Sequence, residues 1–133
     1  MFFSRDPGVN SSAIMLTNLV IKYAYSGHDS GMMIINDDSI VVNMKGFESD
    51  LMRSQMFAYN EYKWTEDEYK FFLRNARIDN RGNATIHLSN KKSKSTRDMI
   101  TRLLENNGDA FSSIKKKGTF VTDVSWSFRS RYT

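Results

Sequence analysis

A chain of 133 residues with no cysteine has no disulfide, no thiolate nucleophile and no cysteine-based zinc site, and it is long enough to build a core without such staples. Its 40% hydrophobic and 13% aromatic residues exclude a disordered chain, while its apolar runs fall far short of the ~20 residues that a membrane helix requires. The net charge of +4 is unevenly spread: residues 1–69 hold 5 basic and 10 acidic side chains, residues 70–133 hold 14 basic and 5 acidic. Such asymmetry points to a basic surface for an anionic partner, or to complementary faces through which copies attract; intermixing of the signs on folding is the simpler alternative.

Taken in chain order, residues 1–12 carry Pro7-Gly8 and Asn10-Ser11-Ser12, a turn-rich N-terminal arm or lead-in with no secretion signal. Residues 13–25 are apolar with an ambiguous period. Leu16, Leu19, Val20 and Tyr23 fit a helical stripe behind a Ser11 or Ser12 cap, whereas Met15, Leu19, Ile21, Tyr23 and Tyr25 fit one face of a strand. Their β-branched and aromatic content favours the strand. Residues 32–36 and 39–45 read as a hairpin around Asp37-Asp38, and residues 47–62 have a spacing compatible with a helix.

Residues 65–77 carry the clearest helix signals. Thr65 and Glu68 form a capping box, Trp64 stands where it can staple onto Tyr69, and acidic residues precede basic ones along the dipole. Tyr69, Phe72, Leu73 and Ala76 would form its buried stripe. Residues 79–83 turn the chain into a strand, 84–89, with Ala84, Ile86 and Leu88 inward. A second helix is expected from a Ser95 cap to Asn106, closed by a left-handed Gly108, with a short helical turn in 109–114 and a basic turn at Lys115-Lys116-Lys117-Gly118. The last segment, 118–133, alternates as a strand with Phe120, Val124, Trp126 and Phe128 on the core and Asp123, Ser125, Ser127, Arg129 and Arg131 facing water or a partner.

These elements predict a single α+β domain over 1–133: an antiparallel sheet of about five strands with two main helices, 65–77 and 95–106, packed on one face. Candidate chemistry lies in the basic clusters. Lys91, Lys92, Lys94 and Arg97 surround a helix start, Lys115, Lys116 and Lys117 form a turn, Arg129 and Arg131 lie on the outer face of the last strand, and Arg74 and Arg77 lie on the solvent side of the first main helix. Such residues supply salt-sensitive attraction to phosphate, and free amides at a helix start also favour anions. Around residues 90–104 the lysine-rich helix start resembles the last helix of double-stranded-RNA-binding domains, but that family's lysine and alanine spacing is not kept, and Met99 and Ile100 replace its small pair.

Catalytic signals are sparse. His28 and His87 with a lysine could serve phosphodiester cleavage, although a solvated histidine is the simpler reading of each, and no metal-ligand spacing or nucleotide-loop motif occurs. The expectation is therefore a non-enzymatic, cofactor-free, cytoplasmic binding module for nucleic acid or a nucleoprotein, without a membrane partner. Its composition is what we expect of a phage or mobile-element product. The rival expectation is a structural subunit that self-associates through its acidic and basic halves.

Overall fold

Asn10 decides how the first apolar segment folds. Its Oδ1 accepts the Ala13 backbone N–H at 3.0 Å, capping a helix, α1, that spans Ser11–Ser26. The strand reading of 13–25 is thus wrong, and the cap lies one residue ahead of the two serines. The structure, a computed structural model, describes residues 9–26, 30–44, 64–88 and 94–127. The helical reading of 47–62, together with His28, Lys91, Lys92, Phe128, Arg129 and Arg131, lies outside the described residues. The misreading has a physical source. Ala13, Ile14, Leu16, Thr17, Leu19, Val20, Ile21, Tyr23 and Ala24 are all buried, so α1 is enclosed on most sides, and a helix enclosed in this way shows no single apolar stripe. Its one fully buried hydroxyl, that of Thr17, is satisfied by donating to Ala13 O at 2.8 Å.

The expected hairpin forms from β1 (Gly31–Ile35) and β2 (Ser39–Met44), turning at Asp37 and Asp38 with Asn36 N donating to Ser39 O. Helix α2 (Glu66–Asn75) then starts with the full capping box: Glu68 N donates to Thr65 Oγ1 at 3.1 Å, and Thr65 N donates to Glu68 Oε1 at 2.8 Å. Trp64 packs its ring on Phe72 with centroids 5.0 Å apart and donates its indole N–H to Leu19 O, fastening α2 to α1. Lys22 Nζ reaches Glu68 at 2.8 Å along the same seam. Phe72 and Ala76 are buried as expected, but Leu73 is 46% exposed, because the stripe that meets α1 runs through Phe72 and the half-buried Phe71 instead.

The helix stops two residues before its expected end. Ala76 is already extended, and Arg77 opens a two-residue strand, β3 (Arg77–Ile78), which no sequence pattern announced. It pairs with β4 (Asn83–His87) across a turn held by Asp79, whose carboxylate accepts the N–H groups of Arg81 and Asn83; those bonds lower the carboxyl's pKa. Ala84, Ile86 and Leu88 face the core as the alternation required.

Helix α3 (Lys94–Asn106) begins one residue before Ser95, which lies inside the helix rather than capping it. Gly108 does not adopt a left-handed conformation; it opens a short 3-10 turn, Gly108–Ala110, and the Asn107 side chain donates to Leu103 O at the helix end. The three lysines expected in a turn form a strand, β5 (Ser113–Lys117). The turn itself is Gly118-Thr119, where Gly118 at φ 65° supplies the left-handed residue that a tight hairpin needs before β6 (Phe120–Trp126).

Among the described residues all pairings are antiparallel, and the sheet has six strands in the order β3-β4-β2-β1-β6-β5. A register shift between Lys115 and Lys116 lets β6 carry an extra residue, so Val121 joins Val124 and Trp126 on the buried side while Phe120 is only partly buried. Strict alternation would set Val121 on the face opposite Val124 and Trp126. One face of the sheet meets α1 and α3: Trp126 packs edge-on to Tyr23 at 6.1 Å, and Val121 N donates to Thr101 Oγ1 at 3.2 Å. No helix of the described residues is long and apolar enough to cross a membrane.

Candidate nucleic-acid interface

The basic clusters of the second half sort into two places. One is the seam between α3 and the β5–β6 hairpin. Lys94, Arg97, Thr101 and Glu105 follow one another at helical spacing, and three of them meet the hairpin in turn. The Arg97 guanidinium lies 4.7 Å from the Phe120 ring centroid, Thr101 accepts from Val121, and Glu105 pairs with Lys116 at 2.5 Å. Phe120 is the cross-strand partner of Lys117, so Arg97 lies near that end of the hairpin; Lys94 opens the same helix, and Lys115 lies two residues back along the edge strand.

Their charges are not equally available. Arg97 is 22% exposed, donates from Nη1 to Asp37 at 2.8 Å and stacks on Phe120; its guanidinium is consumed in joining the β1–β2 turn to the hairpin. Lys116 is neutralised by Glu105. Lys94, Lys115 and Lys117 are exposed and have no ion-pair partner among the described residues, and Arg102, which sequence reasoning passed over, is exposed on the same helix. Arg102 stands between Thr101 and Leu103 with no basic neighbour, so no cluster advertised it; its position on the helical wheel was the available signal. Asp37 belongs to the acidic first half and Arg97 to the basic second, so at this point the two charges intermix.

The second place is the opposite edge of the sheet. Arg74 from the end of α2 and Arg77 from β3 line a groove of about 400 Å³ with Asn75, Ala76, Thr85 and His87. Arg77 faces Thr85 in the β3–β4 register, while His87 is exposed farther along β4. Neither arginine has an ion-pair partner among the described residues. Sequence reasoning set Arg74 and Arg77 beside the lysines; in the structure the width of the sheet separates them. Lys91, Lys92, Arg129 and Arg131 lie outside the described residues.

Between the two edges lies the sheet face that no described helix covers. Met32 is 47% and Ile34 38% exposed there, Val41 pairs with Ile34, and Asn43 pairs with Met32. A groove of about 630 Å³ runs over these residues and reaches Asn83, Ser112 and Ser125. Asn43 donates to Asn83 Oδ1 at 2.5 Å, and Asn83 in turn donates to Asp79, leaving the Asn43 carbonyl oxygen as the free acceptor of this pair. A smaller depression, sharing Met32 and Ser125, carries the face on to Lys115 and Asp123 at the other edge.

Among the described residues no group of three or more histidines, cysteines, aspartates or glutamates is placed to hold a metal ion. No protein-family model, curated protein or solved structure matches this chain.

Proposed function

We propose that this protein is a non-enzymatic module that binds nucleic acid, or a nucleoprotein through its nucleic acid, by a basic surface centred on the α3 and β5–β6 corner. The observation that carries this reading is that Lys94 at the start of α3, and Lys115 and Lys117 on either side of Lys116 along the edge strand β5, are exposed and without ion-pair partners among the described residues. Lysine ammonium groups held this way attract phosphate without regard to sequence, and each phosphate neutralised releases counterions. Arg97 and Lys116 hold the scaffold on which these lysines stand. Strand addition at β5, one route to the rival assembly of acidic and basic halves, is opposed by the same lysines, since charged side chains along an edge strand deter a second strand from pairing there.

The reading is tested by fluorescence anisotropy of labelled DNA and RNA at roughly 50 and 200 mM salt, a span over which several phosphate contacts weaken binding by orders of magnitude. Replacing Lys94, Lys115 and Lys117 together by Gln should lower affinity at least about tenfold and flatten the salt dependence by up to about three ion equivalents. Equal binding by the triple variant, or none by the wild type at low salt, refutes it.

A further inference from the structure

The sheet face that no described helix covers runs from β3 to β5. Its middle is partly apolar, one edge carries Arg74 and Arg77, the other carries Lys115 with Asp123 across from it, and its rows of side chains run continuously between them. Five strand spacings of about 4.8 Å separate β3 from β5, so Arg77 and Lys115 stand about 24 Å apart across the face. The floor between them is built from Met32, Ile34 and Val41, with Asn43 offering its free carbonyl oxygen beside them.

A second copy of the chain is a poor occupant. Strands of five or six residues give the face a length of about 17 Å, hence a footprint of about 400 Å² per copy, half of the roughly 800 Å² per partner that a standard interface buries. A linear polyanion whose repeating units carry flat, weakly polar faces matches the surface by its charge at Arg74 and Arg77, by its flat faces over the apolar middle, and by edge groups able to donate to an amide oxygen.

We infer that the uncovered sheet face is a track for single-stranded nucleic acid, with phosphates at Arg77 and Arg74 on one edge and at Lys115 on the other, and bases resting on Met32, Ile34 and Val41. This rests on the nucleic-acid reading above and adds the form of the ligand. A duplex keeps its base faces stacked inside and can offer such a face only its backbone, whereas a single strand can lay its bases flat on a platform. Methionine and branched aliphatic side chains conform to any base, so the track discriminates little between sequences. His87 and Thr85, beside Arg77 in the same groove, add polar contacts for the strand's backbone.

The test compares a labelled single strand of about twelve nucleotides with the corresponding duplex, by anisotropy at low salt. The wild type should prefer the single strand by at least about tenfold. Met32→Glu/Ile34→Glu should abolish that preference while leaving duplex affinity within about twofold, since both positions are exposed and add charge only to the platform. Met32→Thr/Ile34→Thr, which keeps residues that strands tolerate, guards against a folding defect and should lower single-strand affinity several-fold. Arg77→Gln should weaken single-strand binding and reduce its salt slope by about one. If these variants bind like the wild type while the lysine triple variant does not, the track is refuted and the basic-corner reading stands. Absence of any binding by the wild type refutes both, and a dimer in sedimentation that the Met32→Glu/Ile34→Glu variant dissolves assigns the face to a second copy instead.

Discussion

Gly31 is the position at which a single methyl group should cost most. A Cβ built there would meet Trp126 Cζ2 and Cε2, the latter at 2.8 Å, and the backbone oxygen of Asn43 at 2.5 Å. Neither obstacle can yield cheaply. Asn43 O belongs to the β1–β2 ladder, and the Trp126 indole is 2% exposed, held between Tyr23 at 6.1 Å and Phe111 at 6.3 Å. Gly31 stands opposite Trp126 in the β1–β6 register, so the glycine is what allows the indole to lie against the sheet. Overpacking of this kind costs about 1–3 kcal/mol. For a chain of 133 residues the unfolding entropy is about 0.28 kcal/mol/K, so Gly31→Ala should lower Tm by about 4–11 °C. Thermal unfolding followed by far-ultraviolet circular dichroism measures this, and Trp fluorescence should shift as the indole is displaced. Gly118→Ala is the control: nothing lies within 4 Å of its Cβ, so only the φ of 65° is penalised, at about 1 kcal/mol. Should Gly31→Ala unfold within about 1 °C of the wild type, or cost less than Gly118→Ala, the close packing of Trp126 on β1 is refuted.

Two further outcomes follow from buried or partly buried polar groups. Thr101→Val keeps the side-chain volume but strips the acceptor from the buried Val121 N–H, and should destabilise by about 1–3 kcal/mol in denaturant unfolding; no loss would mean that this bond does not hold α3 to β6. At Glu68, burial pushes the carboxyl pKa up, but hydrogen bonds from Lys22 and from the Thr65 backbone, with the nearby Lys22 charge, outweigh it and leave the pKa below 4.5. A folded-state pKa below the unfolded value stabilises the protein above the unfolded pKa, and that stabilisation is lost as pH falls from about 4.5 through the folded value. Glu68→Gln should therefore be less stable at pH 7 and lose less stability than the wild type on acidification through that window. Parallel stability curves for the two proteins would refute the role of this carboxylate.

What could be read along the chain was whatever depends on neighbours a few residues apart. The capping box of Thr65 and Glu68, the turn at Asp37 and Asp38, and the inward alternation of Ala84, Ile86 and Leu88 involve spacings of two to four residues, and each stands in the structure as the sequence implied. The α+β class followed from these, although the sheet has a sixth strand. The candidate lysines were equally visible as clusters, but not which of them are already spent: Arg97 meets Asp37 from 60 positions away in sequence, and Glu105 neutralises Lys116 across a helix–strand seam. Arg77 was lost to the helix reading because a two-residue strand is made by its partner, β4, rather than by any preference of its own. Val121 turned inward through a register shift that only pairing with β5 creates. Most telling is α1, whose composition favoured a strand. Its backbone became helical because Asn10 caps it and because the sheet, α2 and α3 together offer a cavity apolar on nearly all sides, in which a helix satisfies all but its terminal backbone groups by itself while a lone strand would leave its own unpaired.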